Sequence, residues 1–150
     1  NQRGAQLARV ILRRLKAPAY LVDGAVGLIA VHDAPLPADD VGILKLLNRS
    51  GAIFLRRLCA LKYADLDAHA NTPEVAVRRA DVAAFERRMN ELAKTGCYTM
   101  RQLAVNGADL MDIGIPAGPG VGATLQTLLN DVMEGTLPNE REALLAAAVK

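Results

Sequence analysis

Three groups of residues in this chain have types and spacings that could do chemistry. The first is Gly118-Pro119-Gly120-Val121-Gly122, set directly ahead of an apolar helical pattern. Gly118, Gly120 and Gly122 leave bare amides at a helix start, where an anion such as an RNA phosphate can sit against the positive end of the helix. The same glycines would equally let two helices pack closely, and the local pattern leaves both readings open. The second group is the arginines, 13 against 5 lysines, an excess that favours planar, bidentate partners such as phosphate. Arg9, Arg13 and Lys16 form one stripe. Arg78-Arg79 and Arg87-Arg88 stand about two and a half turns apart on a helical pattern, and Arg101 follows. A solvated helical surface is the alternative for these side chains. The third group is acidic or imidazole: His32-Asp33, Asp39-Asp40, Asp65, Asp67 and His69.

These candidates need helices to position them. The 150 residues suit one domain or two small ones, and the 51% hydrophobic content, rich in Ala and Leu with five aromatic residues, points to an all-α packing unit. About seven helices are expected, in a compact multi-helical bundle with a C-terminal helix, Gly-rich turn and helix as its tail. Residues 3–16 read as a helix with Leu7, Val10, Ile11 and Leu15 on its apolar side. Residues 20–32 form a mostly apolar helix that should be buried. Asp39 or Asp40 opens a helix with Val41, Ile43, Leu44 and Leu47 inward, ended by Ser50-Gly51. Residues 52–70 place Phe54, Leu55, Leu58, Cys59 and Leu66 inward, and residues 74–94 do the same with Val75, Val82, Phe85, Met89 and Leu92.

The stretch 99–139 carries the densest punctuation. Thr99 and Gln102 have capping-box spacing and open a short helix that Asn106-Gly107 ends. Residues 109–111 make one further turn, stopped by Gly114. Pro119 is expected at the first position of a longer helix, which carries Val121, Leu125, Leu128, Leu129 and Val132 and is closed by Gly135. Asn139 with Glu142 caps the last helix. Asn106 and Asp109 are expected to fix their own turn, because Asx side chains bond the nearby backbone.

The net charge of +2 is uneven: residues 1–101 hold 16 Lys or Arg against 10 Asp or Glu, and residues 102–150 hold 2 against 6. The longest apolar run, 24–31, is far too short to span a bilayer, and no membrane association is expected. Cys59 and Cys97 are isolated, which fits a reduced, cytoplasmic setting. The chain begins without methionine and with helical pattern already running, so it reads as a fragment.

With those residues in view, a resemblance emerges. The run LAVNGADL, then GIPAGPGVGATLQTLL, then NEREALL resembles the C-terminal region of bacterial CCA-adding tRNA nucleotidyltransferases, in the nucleotidyltransferase and poly(A) polymerase superfamily. Asn106-Gly107, Asp109-Leu110, Gly118, Gly122 and Asn139 are its most specific parts. The pieces RGAQLARVILRRLK, LIAVHD and LKYADLDA are similar to the latter part of the HD-type helical region of these enzymes. Pro-Gly-Val-Gly before an apolar helix also resembles a helix-hairpin-helix DNA-binding module, over about twenty residues only.

The resemblance implies a division into 1–70, the latter part of the HD-type region, 71–98, a long linking helix, and 99–150, a tRNA-binding tail. It implies that the full-length parent adds C, C and A to tRNA 3′ ends, using Mg2+ with ATP and CTP. This chain by itself is expected to need no cofactor, to lack the catalytic head and to be inactive. Two-metal nucleotidyl transfer needs closely placed carboxylates beside a phosphate cradle. Asp39-Asp40 is adjacent rather than alternate, follows no Gly-Ser, and reads as a helix cap. Asp65 matches a late HD-domain aspartate and is a weak metal candidate, since one carboxylate cannot build a site that needs three or more ligands. His32 reads as a helix-end cap or half-buried imidazole. No Ser-His-Asp, Cys-His or Walker-type arrangement is present.

Few aromatic platforms argue against reading single strands; a folded RNA gripped through backbone and shape needs arginines and helix ends instead. The expected RNA contacts are therefore Arg9, Arg13, Arg78, Arg79, Arg87, Arg88 and Arg101, with the amides of Gly118, Gly120 and Gly122. The expected partner is tRNA, and a homodimer is compatible with the sequence. The rival functions are an HD-type metal-dependent phosphohydrolase, a non-catalytic helical docking module and a helix-hairpin-helix DNA binder.

Overall fold

The computed structural model describes residues 2–149. Among these the chain is all-α: α1 Gln2–Arg14, α2 Ala19–Val31, α3 Asp40–Asp67, α4 Pro73–Thr95, α5 Gly107–Asp112, α6 Pro119–Met133 and α7 Arg141–Ala148, with a 3-10 turn at Met100–Gln102. The helices divide into two compact units, one of Asn1–Pro37 with Gly51–Arg87 and one of Ala38–Ser50 with Arg88–Lys150. Helix α3 crosses between units at Gly51, where φ 75 and ψ 154 interrupt the helix. That left-handed value is one only glycine adopts cheaply, and it sits where Ser50-Gly51 is expected to end a helix.

In the first unit α1 turns into α2 through Lys16 at φ 55, with the Ala17 N–H donating to the Leu12 carbonyl at 3.0 Å in a Schellman-type stop. The two helices meet through Ala5, Val22 and Val26, with Ala8, Leu12, Ala17 and Ile29 around them. This corrects the expectation for α1. Leu7, Val10, Ile11 and Leu15, its predicted apolar side, are all exposed, and the small side of the helix packs instead. Helix α2 is likewise only partly covered, with Val22 and Val26 buried and Tyr20 and Leu21 exposed. Leu55, Leu58, Cys59 and Leu66 of α3 and Val82 and Phe85 of α4 are buried as their spacing predicts. Lys62 Nζ donates to the carbonyls of His32 and Ala34 at 2.7 and 2.8 Å. It thereby satisfies acceptors at the end of α2.

The second unit has a sealed core of its own. Leu103, Val105, Leu110, Leu128, Leu129, Met133 and Leu144 are buried together, with Leu44, Tyr98, Val121, Leu125 and Val132 against them. Gly96, just past the end of α4, fits against Leu44 of α3: a Cβ would stand 2.7 Å from Leu44 Cδ2 and from the Leu92 carbonyl oxygen. Asp39 Oδ1 accepts from the Gly42 N–H at 2.8 Å and caps α3 as its position predicts.

Three local expectations are corrected in this unit. The helix opened by Thr99 is a single 3-10 turn, in which Gln102 Oε1 accepts from the Thr99 N–H at 2.9 Å. Asn106-Gly107 starts a helix rather than ending one, because Asn106 is the N-cap of α5 with φ −131. Asn139 does not cap α7. Its Oδ1 accepts from the Ala104 N–H at 2.8 Å and its Nδ2 donates to the Gln102 carbonyl at 2.9 Å, tying the loop before α7 to the 3-10 segment.

Candidate nucleic-acid interface

Helix α6 presents the glycine-rich start that its sequence suggests. Gly118 is the N-cap at φ 146 and Pro119 is the first helical residue. Gly118, Gly120 and Gly122 are exposed, and a Cβ built on any of the three meets nothing within 4 Å. Among the described residues none of the three makes a close packing contact. The close approach belongs to Gly107, whose Cβ would stand 3.1 Å from Val121 Cγ1 and so seats α5 on α6. The α6 start thus leaves open space beside its glycines at the positive end of a helix of 15 residues, although Pro119 has no N–H and the Val121 N–H donates to the Gly118 carbonyl at 3.2 Å.

Behind that start the turn is braced by charge. The Asn106 side chain accepts from the Ala108 N–H at 2.8 Å and the Asp109 N–H at 3.3 Å, while Asp109 Oδ2 accepts from the Asn106 N–H at 2.8 Å. Asp109 also pairs with Arg141 at 2.6 Å, so α5 and the first residue of α7 share one carboxylate. Asn106 and Asp109 fix their own turn, as Asx residues do. The Asn106 N–H and then Arg141 hold the Asp109 carboxyl below the usual carboxylate range.

This has a pH consequence. A group whose folded titration is depressed stabilises the fold above its unfolded value, about 3.9, and loses that contribution as pH falls through the folded value. Asp109→Asn should therefore lower the melting temperature at pH 7, and the gap from the parent should close as both are titrated toward pH 2. A gap that stays constant over that range would count against the ion pair and cap as its cause.

The seven predicted arginines fall into two classes. Arg9 pairs with Asp23 at 3.0 Å. Arg79 pairs with Asp67 and lies over the Tyr63 ring at 5.9 Å from its centroid. Arg88 is held most tightly: its Nε donates to Asp40 Oδ1 at 2.6 Å, a second arm reaches Asp40 Oδ2, and a third contacts Glu91 at 3.0 Å. The Arg88 hydrogen bond holds the Asp40 carboxyl below its ordinary range, and the guanidinium is pushed up in turn. Arg13, Arg78, Arg87 and Arg101 are exposed and make no ion pair or hydrogen bond among the described residues. Arg9, Arg13, Arg78, Arg79 and Arg87 belong to the first unit, and Arg88, Arg101 and the three glycines to the second.

The carboxylates that the sequence singles out have separate surroundings. Asp39 is spent on the Gly42 amide and Asp40 on Arg88. Asp65 is exposed, and among the described residues no three His, Cys, Asp or Glu side chains stand together as a metal-binding group. His32 is half-buried at the end of α2, its Nδ1 at 2.8 Å from the Ile29 carbonyl and its Nε2 at 3.1 Å from Asp33. His69 Nδ1 lies 2.7 Å from the Asp65 carbonyl at the exposed end of α3. Burial pushes the Cys59 thiol up to about 11, which leaves it a packing residue rather than a nucleophile. Among the described residues no helix is long and apolar enough to cross a membrane. Sequence reasoning placed Arg141 in no role, although it anchors the Asp109 turn; the partner lies 32 residues away along the chain, beyond the reach of local pattern.

Comparison with known proteins gives this geometry its context. The sequence pattern of tRNA nucleotidyltransferase domain 2 matches residues 7–148. The A-adding tRNA nucleotidyltransferase of Deinococcus radiodurans is 31% identical over 142 residues, covering 93% of this chain and 32% of that relative. The CCA-adding enzyme of Geobacillus stearothermophilus is 29% identical over 145 residues, covering 95% of this chain and 33% of its own length. A third, the CCA-adding enzyme of Levilactobacillus brevis, is 51% identical over 49 residues, 33% of this chain and 12% of that enzyme. The chain thus spans a third or less of the length of these relatives. No solved structure matches it. With a match that runs through nearly all seven helices, the chain belongs to the tRNA nucleotidyltransferase domain 2 family.

Proposed function

We propose that this chain is the tRNA-gripping C-terminal part of an enzyme that extends tRNA 3′ ends with CCA. The observation that carries the reading is the family match over residues 7–148. The side chains support the gripping role, because four exposed arginines and a bare α6 start suit a folded RNA held through its phosphates. Arg13, Arg78, Arg87 and Arg101 supply free guanidinium groups, and Gly118, Gly120 and Gly122 supply amides. Arg9, Arg79 and Arg88 contribute by sharing or releasing the carboxylates they now hold.

Residues 1–70 correspond to the latter part of an HD-type region, 71–98 to a linking helix and 99–150 to the RNA-binding tail. Nucleotide addition from ATP and CTP with Mg2+ belongs to polypeptide outside these residues, so the 150-residue chain is inactive alone. The two free thiols suit a cytoplasmic setting.

A binding titration tests this. The isolated chain should retard tRNA in a gel, with log affinity falling linearly in log salt, and should prefer tRNA over duplex DNA in direct competition. It should incorporate no labelled CMP or AMP. Incorporation by this chain alone would overturn its lack of catalysis, and a preference for duplex DNA would favour the helix-hairpin-helix alternative.

A further inference from the structure

Helix α1 carries more apolar surface than its own unit covers. Gly4, Ala5, Ala8 and Leu12 lie toward α2; a Cβ on Gly4 would meet Ile29 Cγ2 at 3.6 Å. Leu7, Val10, Ile11 and Leu15 remain 62%, 56%, 45% and 72% exposed, and Tyr20 and Leu21 follow at 78% and 44%. Single exposed apolar side chains are ordinary, but Leu7, Val10 and Ile11 recur on one side of α1, with Leu15 just past its end, and mark a surface that expects a partner. Arg9 and Arg13 lie on the opposite side of the α1 wheel, so covering the apolar side leaves Arg13 exposed.

Charge narrows the partner. Arg3 and Arg14 fall beside Val10 on the helical wheel, and neither makes an ion pair or hydrogen bond among the described residues. Helix α1 contains no acidic residue, its sequence being QRGAQLARVILRR. A second copy placed face to face would set arginine against arginine with no carboxylate of α1 between them, which is unfavourable. RNA phosphates would leave the leucines and valine uncovered. An apolar helix bordered by carboxylates satisfies both features.

The relatives supply a source for such a helix, since about two thirds of their length lies outside the matched region. We propose that the exposed apolar side of α1, formed by Leu7, Val10 and Ile11 with Leu15 beyond it, is the seat of a helix from the polypeptide outside residues 1–150, with acidic residues of that helix against Arg3 and Arg14. This rests on the reading of the chain as part of a longer nucleotidyltransferase.

Hydrogen exchange on α1 decides it, measured in the 150-residue chain and in the full product of its gene. Amides 7–15 should exchange at least about tenfold more slowly in the longer product. The pair Leu7→Lys with Ile11→Lys should leave the melting temperature of the 150-residue chain within about 3 °C, as exposed positions do, and should restore fast exchange in the longer product. Equal exchange in both proteins would overturn the proposal, as would a gene product of 150 residues alone. Protection that rises with concentration of the 150-residue chain would assign the face to a second copy and overturn it too. Nucleotide addition to tRNA by the longer product is scored separately. Addition with α1 unprotected removes this docking face only, whereas absent addition removes the enzymatic reading.

Discussion

Replacing Arg13, Arg78, Arg87 and Arg101 together by glutamine should weaken tRNA binding by roughly a hundredfold near 0.1 M salt and should reduce the magnitude of the salt slope by about three to four. The reasoning is counterion release: each guanidinium that neutralises one phosphate frees one condensed ion. These four side chains are exposed and hold no ion pair among the described residues, so a phosphate contact would break no existing pair. The triple change of Arg9, Arg79 and Arg88 is the comparison. Each of those already holds a carboxylate, so its exchange for phosphate is partly offset by the pair it leaves. The triple variant should lose less affinity per arginine and should also lower stability, chiefly through Arg88. Filter binding across a salt series reads both slope and affinity. A larger loss from the paired set than from the free set would remove the assignment.

Leu110→Ala should be the most damaging single change in the second unit, costing about 2–5 kcal/mol and about 15 °C in melting temperature. Leu110 is fully buried among Val105, Leu128, Leu129 and Leu144. It is also the main apolar anchor of α5, a helix of six residues, too short to persist without tertiary packing. The cavity would therefore be joined by loosening of the Asn106 and Asp109 cap and of the Arg141 pair that depends on it. Met111→Ala, one residue along and exposed, should cost less than about 0.5 kcal/mol. Circular dichroism melts of the two variants separate a buried anchor from a helix-propensity effect, which would weaken both alike. Similar melting temperatures for the two would show that the core is not organised around Leu110.

The same contrast runs through the whole chain. Signals that act within a few residues were legible in the sequence: Asp39 caps α3, Gly51 interrupts it, Pro119 opens α6, and Gly114 and Gly135, at φ 98 and 73, end their helices. Each depends on backbone hydrogen bonds three or four residues apart, and residue type alone settles which conformation is cheap there. Helical spacing also placed Ile43, Leu55, Leu58, Phe85, Met89 and Leu129 inside. The motifs of residues 106–142 were enough to point to the family.

Other features were decided only by distant partners. Periodicity shows that α1 has an apolar side, but the choice of Ala5 and Ala8 over Leu7 and Ile11 for contact with α2 depends on how closely two particular helices approach. Asn139 has the type and place of a cap, yet Ala104 and Gln102 take its side chain because the fold brings them within 3 Å. Seven arginines look alike in one dimension. Asp23, Asp67 and Asp40 divide them into paired and free, because ion pairing depends on distance in space, which sequence separation does not report.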